Sequence, residues 1–268
     1  MSLFTIKIAE IPIQIACRHP QLQQSYAAFL TDTPPVCTVS VSDEELEGVW
    51  RSHYFHKLID KTTGQVIDMD KECSDPSVVA EKEFIRQGDE ENLLYRKICR
   101  LLPGYDAFIL HGSAVALDGN GYVFSGRSGV GKSTHSRLWL EKFGDLDKKE
   151  PGARARIING DKPVLAFRDG QWLVYGSPWQ GKENWGSAAS APLRGICLLE
   201  RGEKNAVVPT ARVTDWLFNS VIMPQEQNDM IAFFDLLDNL VEQVPFYRMQ
   251  VNNLATDAVA VSHAAMCL

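Results

Sequence analysis

Residues 122–133 read Tyr122-Val123-Phe124-Ser125-Gly126-Arg127-Ser128-Gly129-Val130-Gly131-Lys132-Ser133. The opening residues are a strand signal, and Gly126–Ser133 fits G-x-x-x-x-G-K-[ST] at every fixed position. Thr134–Phe143 continues as a helical run. Strand, glycine-rich turn and helix in that order predict an α/β unit with a P-loop. The chemistry needs these residue types. Glycines let the main chain curl so that successive N–H groups point at phosphate oxygens. Lys132 then neutralises the β- and γ-phosphates, the Ser133 hydroxyl takes Mg²⁺, and the helix N-terminus adds positive charge.

Such a site also needs a carboxylate at the end of a nearby strand. Ile157-Ile158-Asn159-Gly160-Asp161 supplies one. A strand at Arg156–Asn159, reached by a right-handed crossover, would run parallel to the P-loop strand and open on the same sheet edge. Asp161 reads either as a metal ligand there or as the start of a Gly160-Asp161-Lys162-Pro163 turn. Upstream, Phe108–Leu117 and Tyr122–Ser125 read as a hairpin around Asp118-Gly119-Asn120-Gly121. If Asp118 pairs with Gly121, His111 falls opposite Ser128. In that position the imidazole is a base or electrostatic partner for the reacting group, or else a histidine satisfied at a strand end.

Leu110-His111-Gly112-Ser113-Ala114-Val115, Phe124–Ser133 and Ile158-Asn159-Gly160-Asp161 together resemble the catalytic domain of HPr kinase/phosphorylase. That domain is related in fold to the nucleotide-binding part of phosphoenolpyruvate carboxykinase. The likeness covers about residues 108–165. Tyr175–Asn184 looks like uncharacterised relatives of that kinase. The resemblance implies a mixed-sheet α/β P-loop domain, and the residues ahead of it read as a small α+β unit. It implies an ATP- and Mg²⁺-dependent kinase moving the γ-phosphoryl to a hydroxyl, in a protein serine or a small molecule. Lys132 and Ser133 match the phosphate and metal positions, His111 the histidine ahead of the loop, and Asp161 one of two adjacent aspartates. Gly160 stands where the first of that pair is expected, and Thr134 where an acidic residue often follows the serine. Those departures keep open a second class, an ATP-binding regulatory or maturation partner without transfer.

The cofactor-binding set is thus Gly126, Arg127, Ser128, Gly129, Val130, Gly131, Lys132, Ser133, Thr134 and Lys182. Lys182, in Gly181-Lys182-Glu183, is the first candidate for an additional phosphate cation, and Arg194 the second, each with an ordinary exposed charge as its alternative. His135 reads as packing or as a contact to the base. His53 and His56 are three apart without a completing ligand and do not read as a metal site.

The remaining sequence sets bounds. The chain has 268 residues, 45% hydrophobic and 23% charged, with net charge -7, so it is neither disordered nor drawn as a whole to nucleic acid or anionic lipid. No apolar run reaches the roughly 20 residues of a membrane span. The N-terminal run carries Lys7 and Glu10 and reads as strand rather than signal peptide. Six scattered cysteines without C-x-x-C predict reduced thiols and a cytoplasmic protein. Expected partners are a nucleoside triphosphate and a hydroxyl acceptor, with self-association left open.

Residues 1–75 read as the small α+β unit and 76–268 as the P-loop domain. Within the first, Leu3–Ile8, Ile11–Ile15 and Cys37–Val41 are strand-like, His19–Leu30 a short helix, and Ser42 with Glu45 a capping box opening a helix through Trp50. Val49–Ile59 and Gln65–Met69 are further strand candidates. In the second, Pro76–Leu102, Thr210–Ile222 and Gln225–Gln243 are helical, and Trp172–Tyr175, Gly195–Leu199 and Phe246–Val251 extended. The stripe Met230, Ile231, Phe233, Phe234, Leu237, Leu240, Val241 is expected in the core.

Overall fold

The structure is a computed structural model and describes residues 1–54, 63, 76–144, 154–210, 213–252 and 256–267. By its contacts the chain divides into Met1–Ile6 with Pro12–Ile98, and Lys7–Ile11 with Cys99–Leu268.

In the first unit, β1 (Ser2–Ile8), β2 (Ile11–Cys17) and β3 (Cys37–Ser40) form one sheet in that order, β2 and β3 parallel. Alternation sends Ile13, Ile15 and Cys17 inward and leaves the residues between them half-exposed, as a sheet with one buried face requires. The helix expected over His19–Leu30 is two short pieces, α1 (Gln21–Ser25) and a 3₁₀ turn at Ala27–Phe29. The capping box forms: Ser42 N–H donates to Glu45 Oε2 at 2.8 Å, and Glu45 N–H to Ser42 Oγ at 3.1 Å. It opens α2 (Asp43–Tyr54), which runs through Val49–Tyr54, where a strand was expected. No proline interrupts the helix there, so it propagates. Phe55–Ile59 and Gln65–Met69 lie outside the described residues.

The long helix α3 (Pro76–Leu101) carries Glu90, fully buried. Glu90 ties the end of β2 to α3. Its Oε1 accepts from Arg18 N–H at 2.8 Å, its Oε2 from His19 N–H at 3.2 Å, and Oε2 lies 2.5 Å from His19 Nδ1. Arg18 Nη1 stands 3.4 Å from Oε1, while its Nε and Nη2 hold Asp43 at 3.0 and 2.7 Å. A buried carboxylate is tolerable because both oxygens are answered by donors.

The second unit is built on a nine-stranded mixed sheet. Its strands are β4 (Ala107–Ile109), β5 (Gly112–Leu117), β6 (Asn120–Ser125), β7 (Ala155–Asn159), β8 (Val164–Arg168), β9 (Gln171–Tyr175), β10 (Ser190–Arg201), β11 (Ala206–Val208) and β12 (Phe246–Val251). The order runs β4-β8-β9-β10-β6-β5-β7, with β12 also on β10 and β11 on β12. Helices α4 (Lys132–Phe143), α5 (Val213–Ser220), α6 (Gln227–Gln243) and α7 (Thr256–Met266) cover it. Alternation along β5 and β6 splits the core in two. Ala114, Ala116 and Val123 join Leu217, Phe233 and Leu240 on one face, whereas Val115, Tyr122 and Phe124 join Leu138, Trp139 and Val259 on the other. Each fully buried large side chain contributes roughly 1.5–3 kcal/mol relative to exposure.

Three expectations are corrected. Phe108–Leu117 is two strands, because β4 pairs with β8 while β5 pairs with β6 and β7, and the chain changes partners at Leu110–His111. The hairpin turn is Asp118-Gly119, with φ 50° and 81°, and Leu117 pairs with Asn120. A two-residue turn of this kind needs positive φ at both central residues, and Asp-Gly supplies it at least cost. The α6 stripe buries Phe233, Leu236, Leu237 and Leu240, but Ile231 is 55% exposed and Phe234 and Val241 also face outward. Two strands, β8 and β11, and helix α7 had no counterpart in the sequence reading. β8 and β9 meet at Asp169-Gly170, φ 48° and 80°, a second turn of the same kind. Among the described residues no helix is long and apolar enough to cross a membrane.

Helix α4 also carries a pH-sensitive core residue. His135 is fully buried against Phe124, its Nε2 2.9 Å from Ser262 Oγ, and burial pushes its pKa down to about 4. The folded state therefore declines a proton that the unfolded chain accepts below about pH 6.5. This part of the stability is complete above that pH and drains away as pH falls toward 4. The loss amounts to roughly 3 kcal/mol between pH 7 and 4, by the conversion of pKa into free energy. Urea unfolding of wild type and His135→Gln at both pH values should show the wild type losing that much more than the variant.

Candidate nucleotide site

The ends of three strands meet on one edge of the sheet. β6 runs parallel to β10, with Phe124 beside Cys197 and Ser125 beside Leu198. β7 runs in the same direction as β6 with β5 between them, because both are antiparallel to β5. The edge therefore holds the glycine loop after Ser125, Gly160-Asp161 after Asn159, the end of β10, and His111 at the start of β5. Ligands of open α/β sheets bind at such carboxyl edges.

The loop between β6 and α4 keeps its shape through glycine. Gly126, Gly129 and Gly131 have φ of 146°, 76° and 108°. A Cβ on Gly126 would come within 2.4 Å of the Leu199 carbonyl oxygen, so the backbone of β10 permits only glycine there. Arg127, Ser128 and Gly129 are exposed, Val130 is buried, and Gly131, Ser133 and Thr134 are half-buried. Lys132 is buried, with 8% of its surface exposed, and Nζ donates to the carbonyls of Gly126 at 3.1 Å and Arg127 at 3.4 Å. Among the described residues no carboxylate lies within ion-pair distance of that ammonium. Burial lowers its pKa, and the Asp161 charge acts in the opposite sense. A desolvated cation folded across a ring of main chain is a natural mate for an anion.

Asp161 stands beside His111 and Lys162. Its Oδ1 is 3.3 Å from His111 Nε2 and its Oδ2 2.8 Å from Lys162 Nζ. Burial works to raise the carboxyl pKa, but the hydrogen bonds from His111 and Lys162 outweigh it and hold the group well below the usual carboxylate range. Asp161 is thus an anion at any neutral pH. Its turn is fixed by the buried Asn159, whose Oδ1 accepts from Asp161 N–H at 2.8 Å and Lys162 N–H at 2.6 Å. His111 is held at the chain's change of strand, its N–H donating to Ser220 O at 2.9 Å. The corrected hairpin register runs through Gly112–Ser125 and, continued by one residue, puts His111 level with Gly126 rather than opposite Ser128.

Lys182 is exposed and makes no ion pair among the described residues, although its neighbour Gly181 backs onto Asp161 so closely that a Cβ would lie 2.9 Å from the Asp161 Cβ. Arg194 belongs to the other end of β6, where Nε donates to Asn120 Oδ1 at 2.9 Å. Two cations went unread in the sequence. Lys162 adjoins Asp161 directly, and Arg201, at the end of β10, donates from Nη2 to the Gly129 carbonyl at 3.3 Å. Their sequence signal was position alone: one beside the acidic residue, one at the end of an apolar strand.

His111 and Lys162 contact the Asp161 carboxylate and the Lys132 ammonium acts on it through space, so two lysines serve this edge although the chain carries net charge -7. No group of three or more His, Cys, Asp or Glu side chains among the described residues could hold a metal by itself. A divalent ion taken by Ser133 and Asp161 would complete its shell with water, or with phosphate oxygens when a nucleotide is bound.

Among solved structures, the chain is similar to the Hpr(Ser) kinase/phosphatase from Coxiella burnetii. That match has 10% identity and a TM-score of 0.25, and covers 48% of this chain and 86% of the other. No protein-family model matches the chain, and no curated protein does. A likeness of that degree leaves the chemistry of the edge to its own residues.

Proposed function

We propose that this chain is an ATP- and Mg²⁺-dependent phosphotransferase that moves a γ-phosphoryl to a hydroxyl, in a protein serine or a small metabolite. The observation that carries the reading is Lys132: a buried ammonium, unmatched by any described carboxylate, lying across a glycine loop of G-x-x-x-x-G-K-S sequence. In this reading Lys132 and the loop N–H groups bind the triphosphate, and Ser133 and Asp161 hold the metal ion, which would neutralise charge on the transferred group. Arg127 and Thr134 flank the loop, and Lys182 stands by as an exposed cation. Asp161 is too acidic to be an effective proton acceptor, so it contributes charge and orients His111. The imidazole of His111 then takes the acceptor's proton, a role suited to histidine. The compartment that fits is the cytoplasm, where ATP and reduced thiols coexist.

A second reading, nucleotide binding without transfer, is favoured by one observation. Gly160 N–H donates to the Trp185 carbonyl at 2.7 Å, and a Cβ at 160 would lie 2.9 Å from the Gln180 carbonyl oxygen and 3.2 Å from that of Trp185. The backbone around Gly160 leaves no room for the first aspartate of the pair in the resembled kinases.

Transfer from γ-labelled ATP to candidate hydroxyl acceptors separates the two. A kinase gives labelled acceptor, and Asp161→Asn lowers the rate by about 100-fold or more, the scale of losing a charge that acts in the transition state. Binding of ATP with no label transferred to any acceptor supports the second reading, and label transfer unchanged in Asp161→Asn removes Asp161 from the chemistry.

A further inference from the structure

The carboxylate of Asp161 has both oxygens engaged, Oδ1 by His111 at 3.3 Å and Oδ2 by Lys162 at 2.8 Å. Lys162 is not a wandering surface lysine. Its N–H donates to Asn159 Oδ1 at 2.6 Å and its carbonyl accepts from Ser177 Oγ at 2.6 Å. Asn159 Nδ2 in turn donates to the Ser177 carbonyl at 3.1 Å and to Ser177 Oγ at 3.2 Å. Asn159 and Ser177 are both fully buried. The main chain of Lys162 is therefore clamped from both sides, and only the four-carbon stem is free to turn. The ammonium on that stem engages one oxygen of Asp161, so it would repel a divalent ion drawn to that carboxylate while attracting phosphate oxygens.

Resting on the nucleotide reading of this edge, we propose that Lys162 is a tethered counter-cation of the triphosphate, competing with the divalent ion for Asp161 and supplying part of its charge. Two consequences have opposite signs. Removing the ammonium frees Asp161 for a metal, and it also strips a cation from the metal-free nucleotide. A residue needed only for folding would weaken both.

The test is calorimetric titration of the whole chain with ATP in EDTA, and separately with Mn²⁺ alone, in wild type, Lys162→Met and Lys162→Arg. The wild type should bind ATP in EDTA. Lys162→Met should bind that ATP about 10-fold or more weakly, the scale of one charge-assisted hydrogen bond, and should bind Mn²⁺ several-fold more tightly. Lys162→Arg, which keeps the charge, should stay near the wild type on both, and its far-ultraviolet dichroism checks the fold. Unchanged binding of both ligands in Lys162→Met, or parallel loss of both, overturns the proposal. If Lys132→Met abolishes ATP binding while Lys162→Met changes nothing, the nucleotide reading stands and this inference alone falls. Failure of the wild type to bind ATP with or without Mg²⁺ removes both.

Discussion

Lys132→Met is expected to weaken ATP binding by about 100-fold or more while leaving the unliganded protein at least as stable as wild type. Both halves come from the same geometry. The ammonium is buried and, among the described residues, bonded only to the carbonyls of Gly126 and Arg127. Two neutral acceptors recover part of what the ion loses on leaving water, and burial lowers its pKa accordingly. Methionine fills similar volume without that cost, so the unfolding midpoint in urea should hold or rise. With nucleotide present the balance reverses, since the ion then meets phosphate oxygens in a site of low dielectric. Losing charge-assisted bonds of that kind costs about 1.5–3 kcal/mol each, equivalent to roughly 10- to 150-fold in affinity. An ordinary buried structural lysine would show destabilisation and no change in nucleotide binding. Urea midpoints and calorimetric affinities on the two proteins decide between these.

Glu90→Ala should be the most damaging single substitution in the first unit. Glu90 is fully buried and receives two backbone N–H groups, from Arg18 and His19, together with both of their side chains. Removing one member of a buried ionic network strands the others, at a cost of about 3–5 kcal/mol. Here two main-chain donors are stranded with them. Glu90→Gln keeps the shape and one acceptor oxygen and should fall between alanine and wild type. Denaturant unfolding followed by dichroism reads both. A loss under 1 kcal/mol for Glu90→Ala would mean that the strand end and α3 hold together without this carboxylate.

Strand β6, the glycine loop and helix α4 are legible in the sequence because three independent signals coincide there. An apolar strand run, fixed glycine spacing and a helical run lie next to one another, and each occupies the stretch it predicts. The capping box of Ser42 and Glu45 is legible for the same reason, being local chemistry at a fixed spacing. Register was misplaced because two turn frames fit Asp118-Gly119-Asn120-Gly121. The choice between them rests on where φ is positive, and Asp-Gly takes that place better than Gly-Asn. The same dipeptide at Asp169-Gly170 forms the β8–β9 turn, although Val164–Arg168 has no counterpart in the sequence reading. The clamp around Asp161 was out of reach. Asn159 and Ser177 are 18 residues apart, and neither carries a motif. Contacts made by tertiary approach leave no trace in local spacing, so Lys162 and Arg201 became visible as site residues only once strand ends were brought to one edge.

Calorimetric titration of the wild-type chain with ATP in the presence of Mg²⁺ tests the central claim most directly. A glycine loop with a buried lysine across it should give saturable binding of one triphosphate per chain, weakened when Lys132 becomes methionine. No heat of binding and no protection of the glycine loop from proteolysis at saturating nucleotide would contradict it.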